Sequence, residues 1–164
     1  MKSLYRLADA DNSQVIITTH SSIVVKNIGY PNIRLITENA TEGKTVQLVQ
    51  NGLLGYPSMN EINYNSFGEI TEKFHNELYA FIDLQGWLNE YKTGKPTRTY
   101  IHWYADTNRT VPKQLIMSEI VRHQIHHPEN TYNPRFTEAD LKNSIQEMMR
   151  FIENKNQQIT QATP

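Results

Sequence analysis

The spacing of the hydrophobic residues changes near residue 66, and this change limits what the chain can fold into. Before it, β-branched residues come in short runs, at residues 14–20 and 33–36, bounded by polar or turn residues. Such runs are typical of strands. After it, hydrophobic residues recur at helical spacing through residues 70–91 and 141–152. The sequence therefore predicts a short α/β segment followed by a small helical domain.

We expect a mainly α protein with four segments. Residues 1–50 form the α/β segment, and residues 51–65, rich in Gly, Asn, Pro and Ser, form a linker. Residues 66–156 form the helical domain, with a β-hairpin inserted at about residues 99–108. Pro112 is expected to begin the helix after the hairpin, and Thr137 to cap the last helix. Residues 157–164 are expected to be a disordered polar tail.

Composition excludes several classes of protein. The chain has no cysteine, which rules out disulfides and thiolate metal sites, and no apolar run long enough to span a bilayer. Its net charge of −1 argues against a general nucleic-acid coat protein. Residues 92–135 nevertheless hold seven Lys or Arg against three Asp or Glu, with four of the six histidines. We expect a cytoplasmic protein without a membrane partner, whose basic segment is suited to an anionic ligand.

The most chemically informative residues lie at the end of the predicted second helix. His127 is five residues from Arg122, about 140° around an ideal helix, and Pro128 disfavours the helical conformation at His127. Helix geometry alone therefore favours His126 as the partner of Arg122. Residues at i, i+3, i+4 and i+7 share one face of this helix: Glu119, Arg122, His123 and His126.

These residues alone leave three interpretations open. Arginine can bind a phosphate and histidine can transfer a proton near neutral pH, which together suit phosphodiester cleavage without a metal. Arg and His at a helix end also simply stabilise the helix dipole. Finally, His123 and His127 have the i, i+4 spacing of a helical zinc site, although the only carboxylates near them are Glu119 and Glu129.

Arg122-His123-x-x-x-His127 in a helical setting resembles the R-x4-6-H motif of HEPN domains (higher eukaryotes and prokaryotes nucleotide-binding). The resemblance covers residues 66–156. It implies a metal-independent RNA endonuclease, needing no cofactor, with two motifs meeting across a homodimer. Arg122 would stabilise charge on the phosphate, and His127 would act as general acid or base. The products would carry 2′,3′-cyclic phosphate and 5′-hydroxyl ends, and tRNA is the substrate that the family suggests first.

The same resemblance gives the neighbouring polar residues supporting roles. His123 follows the arginine directly and would bind phosphate or orient the ribose. Glu119, His126 and Asn130 would support the two catalytic groups from outside the reacting atoms.

Residues 14–21, an apolar run that ends at His20-Ser21, resemble the final strand and switch histidine of ABC-type ATPases, including defence ATPases related to the SMC proteins. His20 is the matching histidine. The chain has no G-x-x-x-x-G-K-[ST] loop to hold phosphates, so ATP and Mg²⁺ would bind only through an ATPase portion that this chain lacks. We therefore expect the C-terminal part of a larger ATPase–HEPN protein, or a split subunit with an ATPase partner.

Together the two resemblances imply a toxin or abortive-infection effector of anti-phage defence, coupled to an ABC-type ATPase. An alternative is a non-catalytic helical adaptor that docks to an ATPase through residues 1–50 and dimerises through its helices. A third is an RNA-binding module that stacks bases on Tyr100, Trp103 and Tyr104 of the hairpin.

Overall fold

The computed structural model describes residues 6, 14–25, 27–28, 32–39, 43–48, 52–56 and 58–162. The chain forms two compact units, Met1–Glu69 and Ile70–Pro164. About 49% of the described structure is helical and 20% is strand, in six helices and two small antiparallel sheets. The expectation of a mainly α protein is thus met only coarsely, since each unit also contains a β-hairpin. No helix in the described ranges is long and apolar enough to cross a membrane.

The first unit contains a short helix and a hairpin. Helix α1 spans Ser22–Val25, strand β1 Arg34–Asn39 and strand β2 Gly43–Leu48. The strands pair antiparallel, from Arg34 opposite Leu48 to Asn39 opposite Gly43, which confirms the predicted strand at residues 33–36 and the turn before the next. A small cluster of Val25, Ile33 and Ile62 forms the buried core described for this unit.

The predicted strand at residues 14–20 is wrong. These residues have no regular secondary structure, and Val15, Ile16 and Ile17 are exposed, Ile16 by 79%. A strand needs a neighbour for its backbone hydrogen bonds. Within the described part of this unit the only sheet is the β1–β2 pair, whose strands bond to each other.

The expected linker contains a helix, α2, at Met59–Phe67. Ser58 caps it, because its Oγ accepts from the backbone N–H of Glu61 (3.1 Å), and Gly68 ends it in the left-handed conformation at φ 67°. The Glu61 carboxylate is buried and accepts from the N–H of Leu53 (2.6 Å). It also lies where a Cβ on residue 52 would be, so any residue other than glycine there would have to displace this carboxylate.

The second unit is a helical core with a hairpin. Its elements are α3 (Glu72–Leu84), α4 (Leu88–Lys92), β3 (Thr97–Tyr104), β4 (Arg109–Ile116), α5 (Met117–His126) and α6 (Glu138–Ala162). Helix α6 packs against α3 and α5. The core is formed by apolar residues that the helical spacing predicted, including Phe74, Leu78, Ile82, Leu141, Ile145, Met148 and Ile152, together with Val121 of α5.

The last helix begins as predicted but ends later. Thr137 Oγ1 accepts from the N–H of Asp140 (3.1 Å), and the Asp140 carboxylate accepts from the N–H of Thr137 (2.9 Å), a reciprocal cap. The expected disordered tail at 157–164 is wrong for residues 157–162, which continue α6. Four of the six residues at 157–162 are Gln or Ala, which are good helix formers, so this polar end can extend a helix that is already anchored by packing.

The prediction that Pro112 begins the helix after the hairpin is wrong, because the hairpin extends over residues 97–116. Pro112 lies in β4 opposite Ile101, and α5 begins only at Met117. The backbone N–H and carbonyl of Ile101 are instead bonded to the side chains of Asn130 and Asn133. Position 112 therefore needs no N–H toward β3, and proline is tolerated in this two-stranded sheet.

Candidate functional site

Helix α5 and the loop after it carry the residues that the sequence singled out. The helix ends at His126, as Pro128 predicts, and His127 caps it through an N–H bond to the carbonyl of His123 (2.8 Å). The following loop is fixed by the buried Gln124, whose amide donates to the carbonyl of Pro134 and accepts from the N–H of Phe136 (both 2.8 Å). Both the helix end and the loop therefore have defined positions.

Arg122 lies on the side of α5 that faces α3. Its guanidinium is 4.3 Å from the centre of the Tyr79 ring, a cation–π contact. Among the described residues it has no carboxylate within ion-pair distance. Arg122 is thus a half-buried cation that an aromatic ring holds without neutralising it.

His75 of α3 belongs to the same side. It is fully buried, and its Nε2 is 2.9 Å from Ser144 Oγ of α6. Burial, together with the charges of Arg122 and His126, lowers the pKa of His75 to about 4, against the opposing effect of a side-chain hydrogen bond with Asn76. His75 is therefore a neutral core residue at neutral pH. His126, exposed at the helix end, is close enough to act on it electrostatically.

His127 lies on a different side, with the hairpin. Its Nδ1 is 3.2 Å from the Glu129 carboxylate, and both side chains are 53% exposed. The pKa of Glu129 is lowered, first by a backbone N–H bond and then by His127. The His127 ring stacks near His123, with centroids 6.3 Å apart. An exposed imidazole with one nitrogen on a carboxylate has its second nitrogen left for proton transfer.

His123 connects this pair to the hairpin. Its ring is stacked on Tyr100 of β3 and meets His102 edge-on, both at 5.5 Å between centroids. Burial lowers the pKa of His123, and the neighbouring His102, His127 and Lys113 lower it further. The pKa of His102 is lowered by burial and then by Lys113 and His127. Burial, reinforced by the neighbouring positive charges, holds these two imidazoles toward the neutral form.

Asn130 supports this side from within. It is buried, and its Nδ2 donates to the Tyr100 hydroxyl and to the carbonyl of Ile101, both at 3.0 Å. Its Oδ1 accepts from the N–H of Tyr132 (3.3 Å). Because Tyr100 stacks on His123, Asn130 helps to position the His123 ring by holding Tyr100 in place.

Glu119 is occupied by structural contacts. Its carboxylate forms an ion pair with Lys92 of α4 (2.5 Å) and accepts from the N–H of Ile116 at the start of α5 (3.3 Å). Glu119 therefore fixes the start of the helix, one turn before His123 and about two turns before His126 and His127, and its charge opposes the lowering of the His123 pKa. His20 lies in the irregular stretch of the first unit, with its side chain exposed.

Arg122 and His127, the expected catalytic pair, make separate sets of contacts. Arg122 and His126 lie near His75, whereas His123 and His127 lie near His102. No contact in the described ranges joins Arg122 to His127. In the same ranges, no group of three or more His, Cys, Asp or Glu side chains is arranged to hold a metal ion.

Sequence reasoning missed His102 and Lys113 of this site, and named Tyr104 only as a base-stacking residue in the alternative of an RNA-binding module. His102, Tyr104 and Lys113 all lie on the face of the hairpin that meets His123. The alternation Tyr100, His102, Tyr104 was a usable signal, since residues two apart in a strand share a face. The packing of this face against α5 cannot be predicted from the sequence pattern.

Comparison of the chain with models of protein families, with curated proteins and with solved structures finds no match.

Proposed function

We propose that this chain is a metal-independent RNA endonuclease of the HEPN type, with His127 as its acid–base residue. The observation that carries the proposal is the exposed His127–Glu129 pair beside His123 and His102. A carboxylate on Nδ1 fixes the tautomer of the imidazole and leaves Nε2 to accept a proton. Neutral imidazoles and cationic side chains around it suit a phosphodiester, since they can exchange protons and oppose its negative charge.

The reaction that fits these groups is internal transfer at phosphorus. His127 removes the proton of the ribose 2′-hydroxyl, the 2′-oxygen forms a bond to phosphorus, and the bond to the 5′-oxygen breaks. The leaving 5′-oxygen takes that proton back from His127, which is protonated at this stage, so the step balances with one imidazole. The products are a 2′,3′-cyclic phosphate and a 5′-hydroxyl end, with no metal or water consumed.

The role of Arg122 requires a second copy of the chain. Arg122 and His127 lie on different sides of α5, so one copy does not place both at one phosphate. In a homodimer the arginine of one copy stabilises charge on the phosphate at the histidine of the other. Its lack of a carboxylate partner within the described residues leaves its charge available for this role.

The biological setting follows from resemblance alone. We propose a cytoplasmic toxin or abortive-infection effector with tRNA as a first candidate substrate. An ABC-type ATPase partner would supply ATP and Mg²⁺ binding and control the nuclease.

One observation favours a second candidate, a non-catalytic adaptor. Val15, Ile16 and Ile17 are exposed in an irregular stretch of the first unit. An exposed apolar run is suited to docking on another protein. On this proposal residues 1–50 bind an ATPase, and the histidines have no catalytic role.

The deciding experiment is cleavage of total tRNA by the purified chain in excess EDTA, with end-group analysis of the products. His127→Ala should lower the rate by about 10²–10⁴-fold, and Arg122→Ala by about 10²–10³-fold. Arg150→Ala, which removes an exposed arginine from α6, is the matched control and should leave the rate unchanged. Cleavage that requires a divalent metal, or that survives in His127→Ala, would contradict the proposal.

A further inference from the structure

The β3–β4 hairpin has one face that continues the histidine site. Tyr100, His102 and Tyr104 alternate along β3, and their partners on β4 are Lys113, Val111 and Arg109. Directly paired residues in an antiparallel sheet point to the same side. One face of the hairpin therefore carries aromatic, imidazole and cationic groups together, and we call these six residues the aromatic–cationic face.

Of the three aromatic residues in β3 that could stack on a ligand, the structure favours Tyr104. Tyr100 is 1% exposed and carries His123 on its ring. Trp103 lies on the opposite face, where its indole N–H donates to Asn108 in the turn (3.1 Å). Tyr104 is 39% exposed, at the end of the strand.

Tyr104 is surrounded by positive charge. Lys113 Nζ lies 5.6 Å from the centre of its ring, and Arg109 is its partner across the hairpin. Residues 97–116 contain three Lys or Arg and one acidic residue, Asp106 in the turn. A planar ring beside cations is the combination that binds a base and its phosphate in single-stranded nucleic acids.

The face is continuous with the proposed catalytic histidines. The His102 ring lies 4.6 Å from the Tyr104 ring and 5.5 Å from the His123 ring, which in turn is next to His127. A strand of RNA with its phosphate at His127 would therefore reach Tyr104 through neighbouring nucleotides.

We propose that Tyr104 and Lys113 form a nucleotide-binding subsite for single-stranded RNA. The inference rests on the proposed function, because it makes this subsite the place where the strand next to the cleaved phosphate is held. A base that replaces the Lys113 ammonium over the Tyr104 ring gains stacking and frees the ammonium to meet the adjoining phosphate. Duplex RNA is excluded, since paired bases cannot offer their faces to a ring.

The test measures binding separately from cleavage. The full chain carrying His127→Ala, which keeps the probe intact, is titrated by fluorescence anisotropy with a labelled single-stranded RNA of about 12 nucleotides. The same sequence as a duplex and as single-stranded DNA are the other probes. Tyr104→Ala should weaken single-strand binding by about 5-fold or more, and Tyr104→Phe should not, because it keeps the ring.

Two further variants complete the comparison. Lys113→Gln should make the slope of log affinity against log salt concentration shallower by about 1, the amount expected for the loss of one phosphate contact. Tyr132→Ala removes an exposed tyrosine that contacts Trp103 rather than the aromatic–cationic face, and should leave affinity unchanged. A preference for RNA over the DNA probe indicates that the 2′-hydroxyl is also contacted, whereas equal binding assigns the subsite to single strands of either kind.

The outcomes separate this proposal from the function it rests on. Unchanged affinity in both Tyr104→Ala and Lys113→Gln, or no binding to any probe, would overturn the subsite, even if metal-free cleavage by the wild type stands. Weaker binding in these variants without cleavage of any RNA supports the subsite and contradicts the nuclease. Duplex binding that is as tight and as sensitive to Tyr104→Ala would also overturn the proposal.

Discussion

The two sides of α5 present the same residue types in different surroundings. Toward α3, Arg122 stacks on Tyr79 and His75 is buried against Ser144. Toward the hairpin, His127 is exposed and paired with Glu129. Burial on the first side keeps His75 neutral, whereas His127 on the second side is open to a ligand from solvent. The surroundings of a histidine, and not its place in a motif, decide which chemistry it can perform.

The largest expected effect distinguishes the histidines at the end of α5. If the hairpin side is the working side, His127→Ala should lower metal-free RNA cleavage by about 10²–10⁴-fold. His126→Ala should change it by less than about threefold, because His126 lies with the α3 side. Rates of both variants are compared in excess EDTA. A larger loss in His126→Ala would reverse the assignment of the two sides.

The second prediction concerns the pH dependence of folding. The pKa of His75 is about 4 in the folded chain and about 6.5 when unfolded, so the unfolded state binds a proton first as the pH falls. Stability from this group is complete above pH 6.5 and is lost between pH 6.5 and 4, by about 3 kcal/mol in total. Urea unfolding at several pH values measures it.

A variant isolates this contribution. His75→Gln keeps an amide that can bond Ser144 but does not titrate, so its stability should fall less with pH than that of the wild type. His20→Gln, which removes an exposed histidine of the first unit, is the matched control and should follow the wild type. Equal pH dependence in the wild type and His75→Gln would show that His75 is not the buried neutral group described.

The sequence predicted the elements of the second unit better than its site. Helical spacing identified the residues of α6 that form the core, and Pro128 predicted the end of α5. Both signals are local, since they depend on residues within two turns of each other. The contact of His102 with His123 joins residues 21 positions apart and depends on how the hairpin folds back, which no local pattern specifies.

In the first unit the local patterns themselves predicted the wrong elements. An apolar β-branched run at 14–20 predicted a strand, but propensity alone cannot make one without a partner. The Ser58 and Glu61 spacing was a helix-start signal inside a stretch whose Gly, Asn and Pro content predicted a linker. In both places the local composition was outweighed by which backbone hydrogen bonds could be completed.

A smaller expected effect, on the free energy of unfolding, tests how strongly Asn130 holds the hairpin to the loop after α5. Asn130→Ala removes the donor to the Tyr100 hydroxyl and one of two side-chain donors to the Ile101 carbonyl. We expect a loss of about 1–2 kcal/mol in the free energy of unfolding. Asn143→Ala, on the exposed surface of α6, should cost less than about 0.5 kcal/mol. A similar cost for both would show that Asn130 does not anchor the hairpin to the loop.

The smallest expected change in stability separates two roles of Arg122. Arg122→Lys keeps the charge but loses the planar group stacked on Tyr79, which should cost about 0.5–1 kcal/mol in urea unfolding. If Arg122 serves only to pack α5 against α3, cleavage per folded molecule is unchanged. If it stabilises charge at the histidine of a second copy, cleavage falls by about 10²-fold although the fold is nearly intact. Mixing Arg122→Ala with His127→Ala chains then restores activity in heterodimers, because one of their two composite sites contains both wild-type residues.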